Sequence, residues 1–232
     1  MSDEMTIEEA YDEYFKEYDN AYEQSDLLIL PLMMFGKVGK KWHVPGQYVK
    51  KHVRVGDTTY KSGARKGQAR NLYEWVTDVK KQKVQIGEKE ITRGPNKGKM
   101  KPIYETKEMP YMSTGFYPSA NAIYMNTFRG SRRLTPAAEG KLLEWKNLAA
   151  RWAERNNWEQ GKIGEKVVAQ MWFYLPDDGK IRDTHNAKKL LLDALEGVIH
   201  ENDMWIIDRT IDFHFVKENP RIEIEISRQW WD

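Results

Sequence analysis

The chain has no cysteine. Structural disulfides, thiolate nucleophiles and cysteine-ligated zinc are therefore excluded, and the composition accords with a reducing cytoplasm. Long apolar runs are missing as well. The longest, Leu27 to Phe35, is too short to span a bilayer. The N-terminus lacks the basic flank of a secretory leader and is acidic instead. No membrane partner is expected, and the protein reads as cytoplasmic. Glycine is frequent in the first half, yet neither glycine-rich stretch has the spacing of a P-loop or a dinucleotide fingerprint. No nucleotide cofactor is expected.

What the chain does have is charge, and the charge is segregated. The net +2 conceals two opposed blocks. Residues 1–26 hold ten Asp/Glu against one Lys, a net −9, whereas residues 37–101 hold eighteen Lys/Arg against five Asp/Glu, a net +13. Such segregation points to a polyanionic partner, or to two parts of the chain that attract each other. At 232 residues with 40% hydrophobic content, the chain can bury one good core with an appended module.

The acidic block predicts a helix. Tyr11, Tyr14, Phe15, Tyr18 and Tyr22 recur at helical spacing with carboxylates between them. Such a helix could pack its tyrosines on the body, or cover the basic segment as a DNA mimic. The basic block contains two Gly/Lys stretches, Lys61 to Arg70 and Arg93 to Lys101, whose composition suits mobile loops that follow a phosphate backbone. Lys61, Arg65, Lys66 and Arg70 are its candidate DNA contacts. Trp42, Tyr48, Tyr60, Tyr73 and Trp75 interleave with this charge and could stack on bases or pack a small subdomain. A short helix and a strand are expected over Asn71 to Ile86, and no internal repeat is expected.

From Met109 the pattern is regular. Met109 to Tyr117 reads as a strand. Thr135, Pro136 and Glu139 supply an N-cap, a proline at N1 and a first-turn acid for a helix to about Asn156. Lys166 to Leu175 reads as a buried strand, followed by a turn at Pro176 to Gly179. A helix is expected over Thr184 to Glu196, with Leu191, Leu195 and Val198 facing inward and Gly197 ending it. Trp205 to Val216 and Arg221 to Ile226 alternate as two strands. The order β-α-β-α-β-β predicts an α+β fold, two layers with a mixed sheet, over residues 109–232. Residues 1–108 then form the acidic helix and basic extension.

The second helix carries the chemistry. Asp183, His185 and Asn186 stand at its mouth, and Asn202 with Asp203 forms an acidic corner beyond its end. Two acidic corners flanking one short helix can converge on one divalent cation, and Mg²⁺ prefers such oxygen ligands. Each residue also has a plain structural role open to it: an N-cap for Asp183, a turn residue for Asp203, a surface or capping imidazole for His185. His43, His52, His200 and His214 show no ligand spacing. Trp230 and Trp231 could anchor a dimer interface or cap the sheet.

The run from Arg182 to Lys189, the following Asp193 to Leu195, and Asn202 with Asp203 resemble the RusA family of Holliday-junction resolvases. Tyr117, Pro118, Ser119, Asn121 and Tyr124 resemble that family's upstream signature. The resemblance extends from about residue 109 to 228. It implies metal-binding aspartates at Asp183 and Asp203, a phosphate-handling lysine at Lys189, and a positioning asparagine at Asn121. The family's second acidic position falls on His185, which leaves two carboxylates and could shift preference from Mg²⁺ towards Mn²⁺. Asn186, Arg129, Arg132 and Arg133 are further candidate DNA contacts. The implied activity is a Mg²⁺-dependent homodimer that resolves four-way DNA junctions by paired, symmetric incisions, in a bacterial or phage-infected cell. The alternatives are a non-catalytic DNA-binding protein with a decayed metal site, and an interaction adaptor using the acidic helix.

Overall fold

The computed structural model describes residues 25–128 and 130–228. The acidic helix expected over 3–26, apart from Ser25 and Asp26, lies outside the described residues, as do Arg129, Trp230 and Trp231. In chain order the first strands are β1 (Leu28–Pro31), β2 (Gly36–Val38), β3 (Lys41–His43), β4 (Lys50–Thr59), β5 (Ala69–Thr77), β6 (Val79–Glu90) and β7 (Met100–Pro110). Then follow β8 (Tyr124–Asn126), β9 (Arg132–Leu134), α1 (Pro136–Arg155), β10 (Val167–Pro176), α2 (His185–Leu195), β11 (Ile206–Val216) and β12 (Arg221–Arg228). The chain is α+β, in two compact units. Described residues up to Gly39 belong with those from Thr114 onward, and Lys40–Ser113 form the other unit. The boundary expected at 108/109 compares with one at 113/114, and residues 25–39 count with the C-terminal part.

The first unit is built on a mixed sheet of order β1-β12-β10-β11. β10 runs parallel to β11 and antiparallel to β12, and β1 closes the far edge by pairing antiparallel with β12. β1 was not anticipated as a sheet strand. Its short apolar stretch is helped into place by α1, which reaches back to it. Trp145 Nε1 donates to Pro31 O at 2.8 Å, Trp152 Nε1 to Asp26 O at 2.9 Å, and Arg155 Nη2 to Ser25 O at 2.7 Å. α1 begins as its sequence predicts: Thr135 Oγ1 accepts from Ala138 N, with proline next to the cap. Val167, Ala169, Met171, Phe173 and Leu175 of β10 meet Trp145 and Ala149 of α1 and Leu190, Leu191 and Leu195 of α2 in one core. Burying each of the larger side chains is worth about 1.5–3 kcal/mol.

Inside this core sits one buried ion pair. Lys141 Nζ lies 2.7 Å from Glu144 Oε2 and 3.2 Å from Pro31 O, with the two side chains 1% and 7% exposed. Burial pulls the Lys141 ammonium below its usual range and pushes the Glu144 carboxyl up, while each partner opposes the shift of the other.

Three expectations need correction. Residues 111–117 form no strand: they contribute only isolated bridges at Met112 and Phe116, because the ladder of β7 ends at Pro110. No helix lies within Asn71 to Ile86. Alternation of polar and apolar residues there serves β5 and β6, separated only by Asp78. The chain also does contain a repeat. β4–β5 and β6–β7 are the same hairpin, displaced by 31 residues. The pairs Val53↔Glu74, Arg54↔Tyr73 and Gly56↔Leu72 recur as Val84↔Glu105, Gln85↔Tyr104 and Gly87↔Ile103, with the bulge at the same step. At the first tip Gly67 N donates to Tyr60 O, and Lys66 N to Gly63 O. At the second Gly98 N donates to Ile91 O, and Lys97 N to Gly94 O. Gly63, Gly67, Gly94 and Gly98 all take positive φ, between +76° and +86°, which side chains rarely tolerate. The repeat is faint in the sequence because, beyond the turn and bulge residues, only scattered strand positions such as Val53/Val84, Tyr73/Tyr104 and Glu74/Glu105 are kept.

The two hairpins spring from Asp78. Its carboxylate meets Lys41 Nζ at 2.6 Å, Lys51 Nζ at 3.0 Å and the Tyr111 hydroxyl at 2.7 Å. Lys80 Nζ sits 3.7 Å from the centroid of the Tyr111 ring. Burial pushes the Asp78 carboxyl up, but hydrogen bonds from Lys41, Tyr111 and Lys51 outweigh it and hold the group far below the usual carboxylate range.

Candidate active site

The candidate site residues lie at both ends of α2. Before the helix, Arg182 straightens the loop: Nη1 and Nη2 hold the Asp178 carboxylate at 2.5 Å each, and Nη1 also donates to Pro176 O at 3.1 Å. The guanidinium lies 5.5 Å from the ring centroid of Tyr117, whose hydroxyl donates to Asp183 O at 2.8 Å. The Tyr117 hydroxyl is pushed well above its usual range, by burial first and by the Asp183 charge second. Residues 66 positions apart thus fix the backbone of Asp183. Its carboxylate Oδ1 accepts from His185 N at 2.9 Å, closing the first turn, and it remains exposed. Asp183 therefore does serve as a first-turn acceptor, with one oxygen so engaged.

His185 is exposed, and Asn186 N donates to Asp183 O at 3.2 Å. One turn further, Lys188 and Lys189 face opposite ways. Lys188 is buried and pairs with Asp208 of β11 at 2.5 Å, tying the helix to the sheet. Lys189 projects outward, 3.3 Å from Asp193 Oδ1. Its pKa is raised by the hydrogen bond to Asp193 first, and further by the charges of Asp193, Tyr124 and Asp203. Lys189 is thus the point at which β8, the helix and the acidic corner come within electrostatic reach of one another.

The corner follows the helix stop. Glu196 ends α2, Gly197 takes φ +78°, and a single 3-10 turn, Asp203–Trp205, opens the way to β11. Asn202 Oδ1 accepts from Met204 N at 2.9 Å and caps that turn. His200 anchors it from below. Fully buried, its Nε2 pairs with Glu165 O at 2.9 Å and its Nδ1 accepts from Asn202 N at 3.0 Å. The carbonyl and the amide fix the tautomer, with the proton on Nε2. Sequence spacing gave His200 no ligand role, and its role is structural: it holds the corner that carries Asp203. Gly161 leaves room for the imidazole, since a Cβ there would lie 2.4 Å from His200 Cδ2.

Asn121 is exposed in the turn after Ser119, and Arg132 and Arg133 are exposed on β9. Lys61, Arg65, Lys66 and Arg70 occupy the tip of the β4–β5 hairpin in the other unit. Among the described residues no group of three or more His, Asp and Glu is close enough to hold a metal ion. His185, Asp183 and Asp203 therefore do not assemble as a three-donor cage. By donor chemistry alone, the carboxylates of Asp183 and Asp203 are of the kind that fits a hard divalent cation, which is commonly bound by one or two carboxylates and keeps its remaining positions for water and phosphate. No described helix is long and apolar enough to cross a membrane.

Residues 117–227, from the tyrosine that fixes Asp183 to the end of β12, match the family model described as endodeoxyribonuclease RusA. Over this stretch the chain matches the RusA family. A search of curated proteins finds no match. The RusA domain thus takes in the whole of the site just described, together with β8, β9, both helices and β10 to β12. It leaves the duplicated hairpins and β1 outside. The residues that sequence reasoning missed are Tyr117 as a support for Asp183, Arg182 as a loop clamp, Lys188 with Asp208, and His200. Of these Arg182 and Lys188 stood inside the helix motif and Tyr117 inside the upstream signature, each without an assigned role.

Proposed function

We propose that the protein is a Mg²⁺-dependent endodeoxyribonuclease that resolves four-way DNA junctions by paired, symmetric incisions, acting in the bacterial or phage-infected cytoplasm. The observation that carries the reading is the match to the RusA family over residues 117–227, supported by Lys189, which lies within electrostatic reach of Tyr124 on the upstream strand and of Asp203 beyond the helix. Asp183 and Asp203 are the residues that would hold Mg²⁺, or Mn²⁺ in its place. When bound, such an ion lowers the pKa of a coordinated water and offsets phosphate charge. Lys189 releases Asp193 and neutralises charge that builds on the phosphoryl oxygens in the transition state. His185, exposed beside Asp183, takes or returns a proton. Asn121 and Asn186 orient the strand, and Arg129, Arg132 and Arg133 bind flanking phosphates. Lys61, Arg65, Lys66 and Arg70 add backbone contacts from the second unit.

Paired incision requires two sites. The support for a homodimer is β11, the edge strand of the sheet, which exposes Ile211, Phe213 and Phe215 at 47%, 52% and 52%. Soluble proteins seldom leave such a row uncovered.

Incubation with a synthetic four-way junction and Mg²⁺ tests the reading. The expected result is symmetric nicking that Asp183→Asn abolishes while junction binding persists. Binding without any cut in Mg²⁺ or Mn²⁺ would sink it and favour the second reading, a DNA-binding protein with a decayed site. That reading is kept open by His185 standing where an acid is usual and by the absence of a three-donor group among the described residues.

A further inference from the structure

The duplicated hairpins carry their charge in a way that the RusA domain does not explain. Residues 60–70 contain Lys61, Arg65, Lys66 and Arg70 and no acid. Residues 91–101 contain Arg93, Lys97, Lys99 and Lys101 and no acid. Below the tips the strands mix signs and pair them internally, as Arg54 does with Asp57 and Lys107 with Glu105. Among the described residues none of the eight tip cations forms an ion pair. Lys99 donates to Asn96 Oδ1 at 3.2 Å and Arg70 lies over Tyr60. All eight are exposed.

Comparison of the two copies says what the tips are built to meet. Under the 31-residue displacement the turn glycines, Lys66/Lys97 and Arg70/Lys101 coincide. The other two cations of each tip do not: Lys61 matches Thr92, Ser62 matches Arg93, Arg65 matches Asn96 and Gln68 matches Lys99. The charge is kept at four while half of its positions drift. A surface that reads base edges needs particular donors at fixed places. A surface that grips a phosphate backbone needs only dense positive charge on a defined scaffold, because the duplex presents one charge per ~1.7 Å of axis. The scaffold is what the two copies share. Each tip is carried on strands of about ten residues, which extend it roughly 30 Å from Asp78. The second hairpin, a ribbon of two strands only, also leaves Ile86, Met100 and Tyr104 exposed. Such a ribbon is marginal by itself and gains from a partner.

We infer that the two hairpins are a matched pair of sequence-independent grips for duplex DNA, the second centred on Arg93, Lys97, Lys99 and Lys101. The assignment rests on DNA being the substrate, but not on the protein cutting it. Each grip contributes separately to affinity, and both act on a linear duplex as well as on a junction.

The test uses the full chain with the four cations of one tip, the other, or both changed to Gln. Binding to a four-way junction and to a linear duplex is followed by fluorescence anisotropy across a salt series. Each single-tip variant is expected to weaken binding to both DNAs tenfold or more at about 0.1 M salt. Each should flatten the log Kd against log salt slope by about 2–4, and the two effects should add. Arg/Lys exchange at the same positions should restore the wild-type values. A single-tip variant that keeps both the wild-type Kd and the wild-type slope overturns the pairing, whichever tip it is. Cleavage separates this failure from that of the nuclease reading. Wild-type protein that never cuts, yet loses DNA affinity with its tips, keeps the grips and loses the nuclease. Protein that cuts and binds unchanged without a tip does the reverse.

Discussion

Gly161→Ala tests how the acidic corner is held. Gly161 bridges His200 through backbone: its N–H donates to Ile199 O at 3.0 Å, and its carbonyl accepts from Glu201 N at 2.9 Å. A methyl group at this position would lie 2.4 Å from His200 Cδ2 and 3.1 Å from Val167 Cγ2. The first contact is far inside van der Waals range, and the imidazole is not a loose end, since both of its nitrogens are bonded. Either the ring tilts and loses one or both hydrogen bonds, each worth about 0.5–1.5 kcal/mol, or the corner moves. Overpacking adds about 1–3 kcal/mol. The expected loss is therefore on the order of 3 kcal/mol in urea unfolding, with an unchanged m-value. Asp203 sits three residues beyond the ring, so under the proposed function junction cleavage should fall and require more Mg²⁺ even at temperatures where the variant is fully folded. Gly161→Ala protein with wild-type stability and a wild-type Mg²⁺ dependence would refute the claim that His200 positions Asp203.

Two further outcomes follow from the buried charges. Glu144→Ala strands the Lys141 ammonium in the core and should cost about 3–5 kcal/mol, whereas Lys141→Met combined with Glu144→Leu should come close to neutral by the same urea assay. Asp78 is ionised in the fold and has its pKa depressed, so its contribution is fully present above the ordinary carboxylate pKa of 3.8 and is lost as pH falls through the folded value. Amide exchange in β4 to β7 should therefore accelerate below about pH 4, and Asp78→Asn should remove that acid dependence while weakening the hub at neutral pH.

The helices, β10 and the last two strands were legible because their signals are local. Thr135 with Pro136 starts one helix, Gly197 stops the other, and β10 is a run of ten residues rich in Val, Trp, Phe and Tyr whose burial alternates from Ala169 to Leu175. Candidate site residues on α2 were legible for the same reason, being spaced along one element. What escaped is non-local. β1 joins the sheet through pairing with β12, almost two hundred residues away, and a four-residue strand carries no period of its own. Tyr117 reads in the sequence as the start of the upstream signature, with no role of its own, and His200 as a histidine without ligand spacing. Their function lies in a single hydrogen bond each to the backbone of the acidic corners. The repeat escaped for a different reason: strands on an exposed ribbon need few fixed side chains, so beyond its bulge and turn glycines the second copy kept only scattered positions such as Val84, Lys97, Tyr104 and Glu105.

That last point bears on how the protein divides its work. The RusA domain buries its side chains in one core, and each support of the site, from Tyr117 to His200, is a specific contact with low tolerance for change. The hairpin unit buries few large side chains, and its fixed points are the Asp78 hub and the two turns. Chemistry at a phosphodiester requires groups held to within a fraction of an ångström, whereas attraction to a phosphate backbone requires only charge. Substitutions at the hub should therefore disturb affinity for DNA with little effect on the rate of cutting once bound, and substitutions at Tyr117 should do the opposite. A Tyr117→Phe variant that loses affinity rather than turnover would break this division, because its hydroxyl touches only the backbone of Asp183.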